Sequence, residues 1–201
     1  MGHNQKRNDQ NTISQSNTQS TTPPSRSGFG ISASMGATIP ILQDGFGLGP
    51  NGGIRLETPF SFKLIGMECK VGTEFYGSIM LPKDSTYSSI QNPLNSAENL
   101  TIAVKNDKMY SLMNIIGNIS MSPSFIPSLE IRPGLGVTLT KIGEDTKTTL
   151  SIPFNLIYYF PMDLAGFKFG INLLSQITLG HPTKDGTTSL INAGLVIKTP
   201  L

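Results

Sequence analysis

"GFGISASMGATIPI", residues 28–41, alternates without interruption: Phe29, Ile31, Ala33, Met35, Ala37, Ile39 and Ile41 are apolar, and Gly, Ser, Thr and Pro fill the places between. A period of two is the signature of a strand with one greasy face. Ordinary strands run for about 5 or 6 residues, so this one is more than twice the usual length. Fourteen residues rising ~3.3 Å each and tilted ~45° advance about 32 Å, close to the ~30 Å of a bilayer's hydrocarbon.

The same two-beat returns through the rest of the chain, and helical spacing never persists over a helix-length window. Spanning strands are expected near 28–41, 51–60, 64–81, 109–121, 129–139, 147–160, 166–179 and 188–201. After the polar stretch 82–98, segment 99–105 reads as either loop or a strand rising above the membrane; counted as a crossing it gives nine, which breaks the even count of such barrels. What opposes the greasy face decides between water and lipid. A soluble sandwich turns Lys, Glu, Gln and Thr to solvent, whereas here Gly, Ser, Thr and Asn dominate, as suits the confined interior of a narrow barrel. The expected fold is all-β, an eight-stranded antiparallel transmembrane barrel over 28–201.

Two further patterns agree. All seven Asp residues (9, 44, 84, 107, 145, 163 and 185) fall in the tail or in proposed connections. Phe29, Phe60, Phe62, Phe125, Phe160, Phe167 and Phe169, with Tyr158 and Tyr159, fall at strand ends that alternation places on one side of the membrane, as an interfacial aromatic girdle would. With the N-terminus periplasmic, "PFSFK", "MSPSFIP" and "PMDLAG" become the short periplasmic turns, and "LQDGFGLGPN", 82–108, "KIGEDTK" and "HPTKDG" face outward.

Residues 1–27 are mostly Asn, Gln, Ser and Thr and end in "TTPPSRS". They hold too little apolar surface to repay ordering and are expected to form a disordered tail. The N-terminus "MGHNQKRNDQ" has no apolar h-region, which fits either an exported protein whose signal lies outside this sequence or one that stays in the cytoplasm. Only 14% of residues are charged and the formal charge is +2, which argues against a nucleic-acid-binding surface.

The lone Cys69 rules out an intramolecular disulfide and a multi-Cys zinc site, and it reads as a small apolar residue on the face of Met67 and Val71. Neither a metal nor a cofactor is implied. His181, in the turn "GHPTKDG", reads as a solvated loop residue, and the chain carries no nucleophile elbow or Walker loop. An enzyme is not expected. The one constellation is a set of inward charges: Arg55, Glu57, Glu68, Lys70, Glu74, Glu130, Arg132 and Lys168. Their balance of sign points to mutual pairing in a lumen barely wide enough for its own side chains.

The stretch "PSLEIRPGLGVTLTKIG...TTLSIPFNLIYYFPMDLAGFKFGINLLSQITLG" resembles the small eight-stranded outer-membrane β-barrels of Gram-negative bacteria, the porin-like OmpA/OmpX-type group, and the likeness extends over about 28–201. It rests on alternation and turns, with no catalytic motif. The resemblance implies residence in the outer membrane, lipid as the first partner, and a structural, anchoring or surface-interaction role through the loops or the tail, where a protein partner could bind. Members of this group finish on an aromatic residue; this chain finishes on Leu201. Two rival readings follow from the same residues: a soluble sandwich or jelly-roll shell subunit whose N-terminal arm carries Lys6, Arg7 and Arg26, and a small-solute channel.

Overall fold

The structure, a computed structural model, describes residues 28–41, 45–83, 86–92, 95–104, 108–183 and 186–200. The tail 1–27 lies outside the described residues. Its strands are β1 (Gly30–Ile41), β2 (Gly49–Leu64), β3 (Met67–Met80), β4 (Thr86–Asn92), β5 (Asn95–Val104), β6 (Tyr110–Pro123), β7 (Leu129–Ile142), β8 (Asp145–Leu164), β9 (Phe167–Thr178) and β10 (Thr188–Pro200).

Eight of them close on themselves in the order β1-β10-β9-β8-β7-β6-β3-β2, and every neighbouring pair is antiparallel. β4 and β5 form a separate two-stranded sheet within the connection from β3 to β6, so residues 99–104 do not add a ninth stave, residue 105 lying outside the described residues. The eight-stranded sheet closes on itself instead of packing face to face on another, which removes the sandwich and jelly-roll reading. Closure also leaves no edge, the condition for a sheet to cross hydrocarbon with its backbone satisfied.

Burial follows the pleat. In β1 Ser32 and Thr38 are buried while Ala33, Met35 and Ile39 are exposed; in β8 Ser151, Asn155, Ile157 and Tyr159 are buried while Leu150, Ile152, Phe154, Leu156 and Tyr158 are exposed. The greasy half of each ribbon therefore faces outward all round the ring.

β2 and β8 each carry two extra residues against their partners, between Glu57 and Ser61 and between Tyr159 and Asp163. Each irregularity contains a proline, Pro59 or Pro161, a residue with no N–H to give to a ladder and so confined to such places. Because two is an even number, the faces stay in phase beyond the bulge. Phe62 and Leu64 continue the outward face toward the β2–β3 turn, as Met162 and Leu164 do toward the β8–β9 turn.

Both turns are two-residue hairpins with positive φ at both positions: Ile65 (φ 49) with Gly66 (φ 74), and Ala165 (φ 54) with Gly166 (φ 84). Ile65 is the costly choice, since a β-branched side chain in the left-handed region is strained. It is 88% exposed, so no packing within the chain offsets that strain. Ile65→Asn is expected to raise barrel stability in detergent by about 1 kcal/mol, read as a higher temperature of conversion from the folded to the unfolded gel band; a lower temperature would show that Ile65 is held by contact with amphiphile.

Candidate functional site

The lumen is the only place where the described side chains assemble chemistry, and it is layered along the barrel axis. Near the short turns lies a cluster of charges. Arg55 on β2 donates from Nη1 to Glu57 Oε2 at 2.5 Å and from Nε to Asn118 Oδ1 at 2.8 Å, and Asn118 Nδ2 donates to Glu74 Oε2 at 3.1 Å. On the facing wall Arg132 donates from Nε to Glu130 Oε1 at 2.7 Å and from Nη2 to the Tyr159 hydroxyl at 3.1 Å.

Lys198 joins the two halves: its Nζ lies 2.7 Å from Glu57 Oε2 and 3.2 Å from Glu130 Oε2, with the Tyr159 ring centroid 5.9 Å away. Lys70 adds a fourth cation, 3.2 Å from Glu57 Oε1. Glycine makes the room. A Cβ on Gly72 would lie 2.5 Å from Arg55 Nη2, so the guanidinium rests on bare backbone of the neighbouring strand.

The structure thus brings together Arg55, Glu57, Lys70, Glu74, Glu130 and Arg132. It leaves out two of the expected inward charges. Glu68 is only half-buried at the start of β3, opposite Lys63, and Lys168 is exposed beside the β8–β9 turn, opposite Asp163. Both lie on hairpin extensions beyond the β2 and β8 bulges, where the ring no longer surrounds them. Lys198 was missed because "LVIKTPL" offered no charged neighbour to pair it with. Tyr159 was placed with the outward aromatics, yet its odd parity in β8 turns it inward.

The middle of the lumen is uncharged. The Thr38 hydroxyl donates to Asn192 Oδ1, and Asn51 Nδ2 reaches Thr38 Oγ1 at 3.3 Å. Opposite, the Thr138 hydroxyl donates to Asn114 Oδ1, and Gln176 Nε2 bonds Asn114 Oδ1 at 2.8 Å and the hydroxyls of Thr138 and Thr178 at 3.2 Å each. Beyond these, toward the long loops, the interior turns apolar: Phe46, Met80, Tyr110, Leu112, Ile142 and Leu190 pack into one buried cluster.

Phe46 arrives from the β1–β2 connection. Gly47 N donates to Leu81 O at 2.7 Å and Lys83 N to Gly45 O at 3.0 Å, which folds that loop onto the end of β3 and sets the Phe46 ring 5.4 Å from Tyr110. His181 closes the same mouth. Expected to be solvated, it is 4% exposed, its ring 6.0 Å from Tyr110 and its Nδ1 accepting the Thr183 N–H at 3.2 Å. Pro182 and Thr183 turn the chain back over it, a tertiary effect that a turn-like sequence does not reveal.

An apolar exterior around a closed, packed, largely polar interior is the solution available to a sheet in lipid. This is the architecture of the small outer-membrane β-barrels. An even number of antiparallel strands, as here, is the rule for single-chain barrels of the bacterial outer membrane. No protein-family model and no curated protein matches the sequence.

Among solved structures the chain is similar to Ail, the attachment invasion locus protein of Yersinia pestis. A crystal structure of Ail with the heparin analogue sucrose octasulfate shares 12% identity over 85% of this chain and 98% of that one, at a TM-score of 0.45. A second crystal structure of Ail gives 9%, 85%, 98% and 0.44. Its backbone structure in a phospholipid bilayer nanodisc gives 10%, 84%, 99% and 0.43.

On the exterior, Phe29, Phe60, Phe62, Phe125, Tyr158, Phe160 and Phe167 are all exposed at the short-turn end, and Phe169 is half-buried there. Tyr158 and Phe160 meet edge to face, with centroids 6.4 Å apart. Cys69 departs from its expected outward exposure and is fully buried. Its direct neighbours across the sheet are Phe62 and Met121, larger side chains on the same face that overshadow it.

Proposed function

We propose that this chain is a non-enzymatic barrel with a closed lumen, serving as a structural, anchoring or surface-interaction protein of the outer membrane through its loops or its N-terminal tail. The observation that carries this reading is the filling of the interior: ion pairs at one end, hydrogen-bonded amides and hydroxyls in the middle, a six-residue apolar plug at the other. An eight-stranded ring is just wide enough for its own side chains, and a hydrophobic constriction blocks ions by excluding water. With the lumen occupied, the surface left for interaction is what rises beyond the membrane, above all the β4–β5 hairpin, which forms a sheet separate from the ring. The aromatic set at the short-turn end acts in this reading as the interfacial girdle that fixes the barrel's depth.

The test is planar-bilayer recording. The parent protein should insert without unitary currents, while Phe46→Ala, which removes the plug side chain carried by a loop, should give reproducible openings. Currents of equal size in both proteins would favour the small-solute channel. Insertion itself is checked separately by detergent-dependent extraction and heat-modifiable gel migration.

A further inference from the structure

Among the described residues the outer wall carries a hollow over β2, β3, β6 and β7. Gly52 on β2 and Gly77 on β3 are register partners, and both stand at outward positions of the pleat. On the same face the next residues along β2 and β3 are the exposed Ile54, Phe75 and Ile79, and the partner of Gly77 on β6 is the exposed Met113. Where the surrounding belt projects large side chains, this pair projects none. The result is a furrow of about 570 Å³ whose sides are Ile54, Phe75, Met113, Ile115 and Leu139.

We infer that this furrow binds one acyl chain of a membrane lipid. The inference rests on the barrel standing in a bilayer as proposed above. The furrow is continuous with the lipid-facing belt, and its outward-pointing walls are apolar side chains, the inward-facing Tyr76 and Asn114 lying at its base. Its floor is one residue long on each strand, so along the strands the slot is a single missing side chain wide, about 7 Å. A polymethylene chain fits such a slot, whereas a helix with its side chains is about 10 Å across and the wall of a second barrel is flatter still. A chain lying between Phe75 and Met113 touches protein on three sides; over the rest of the belt it touches one. In hydrocarbon no water is released by such contact, so packing and dispersion supply the preference.

The glycines can be filled without disturbing the sheet. A Cβ on Gly77 would meet only Leu112 O, at the ordinary contact distance of 3.7 Å. The full chain is reconstituted in phosphatidylethanolamine nanodiscs containing a phospholipid with a diazirine in one acyl chain, irradiated, and the adducts mapped by mass spectrometry. Adducts on Phe75, Met113 and Ile115 should exceed those on Leu156 and Leu173, outward partners on the opposite wall, by several-fold, and Gly77→Leu should remove that excess while leaving Leu156 and Leu173 unchanged. Uniform labelling round the belt, an excess that survives Gly77→Leu, or a barrel–barrel cross-link through Met113 in place of lipid adducts would each overturn the acyl-chain site. Failure of the membrane reading itself gives a different result, no adducts on either wall.

Discussion

Glu130→Gln is expected to lower the stability of the folded barrel by about 3–5 kcal/mol. Glu130 is fully enclosed and accepts from Arg132 with one oxygen and from Lys198 with the other. The amide keeps the shape and removes the charge. Arg55, Lys70, Arg132 and Lys198 would then face only Glu57 and Glu74, and the amide's single oxygen could accept from Arg132 or from Lys198 but not from both, its NH2 turned on the other cation. A buried cation without its counter-charge keeps its desolvation cost and loses the attraction that offset it. The measurement is the temperature at which the compact gel band converts to the unfolded one in detergent. Glu130→Met combined with Arg132→Met removes both charges of one pair and should recover a large part of the loss. A single variant as stable as the parent would mean that water reaches Glu130, and the closed-lumen proposal would fall with it.

How much of this was legible in the chain depends on which half of the two-beat is considered. The outward half was plain: residues 28–41 show it without interruption, and β1, β8 and β9 occupy the places the alternation assigns. The inward half was legible only where a residue is charged. Alternation shows that Leu112 and Ile116 share a face with Asn114 and Asn118 in β6, but not whether that face looks inward when both faces carry large apolar groups. Tyr76, Leu174 and Leu190 were hidden in the same way, so the lumen looked smaller and more polar than it is. The plug was hidden for a different reason. It depends on a loop, 45–47, pairing with 81–83, and no local pattern specifies a contact between segments so far apart. The two-residue bulges also escaped notice, because an even insertion leaves the period intact and merely lengthens the strand.

Gly36→Val is expected to prevent closure of the barrel altogether. Gly36 and Gly194 are partners across the β1–β10 seam, where the first strand of the ring meets the last, and both stand at inward positions. A Cβ on Gly36 would lie 2.1 Å from Ala193 O, and one on Gly194 would lie 2.2 Å from Met35 O. These contacts are with backbone, so no rotamer change relieves them; the two strands would have to separate and give up the ladder at that point. In water an open seam would be met by solvent. In hydrocarbon each unpaired N–H and C=O costs several kcal/mol, and a seam of a dozen residues cannot be left open at that cost. Gly36→Val should therefore show no compact gel band and no insertion into nanodiscs. Gly117→Ala, whose Cβ would face outward 3.9 Å from Leu135 O, should fold as the parent does. If Gly36→Val folds and inserts normally, β1 and β10 are not held at this distance, and the register that places the lumen side chains opposite one another would have to be redrawn.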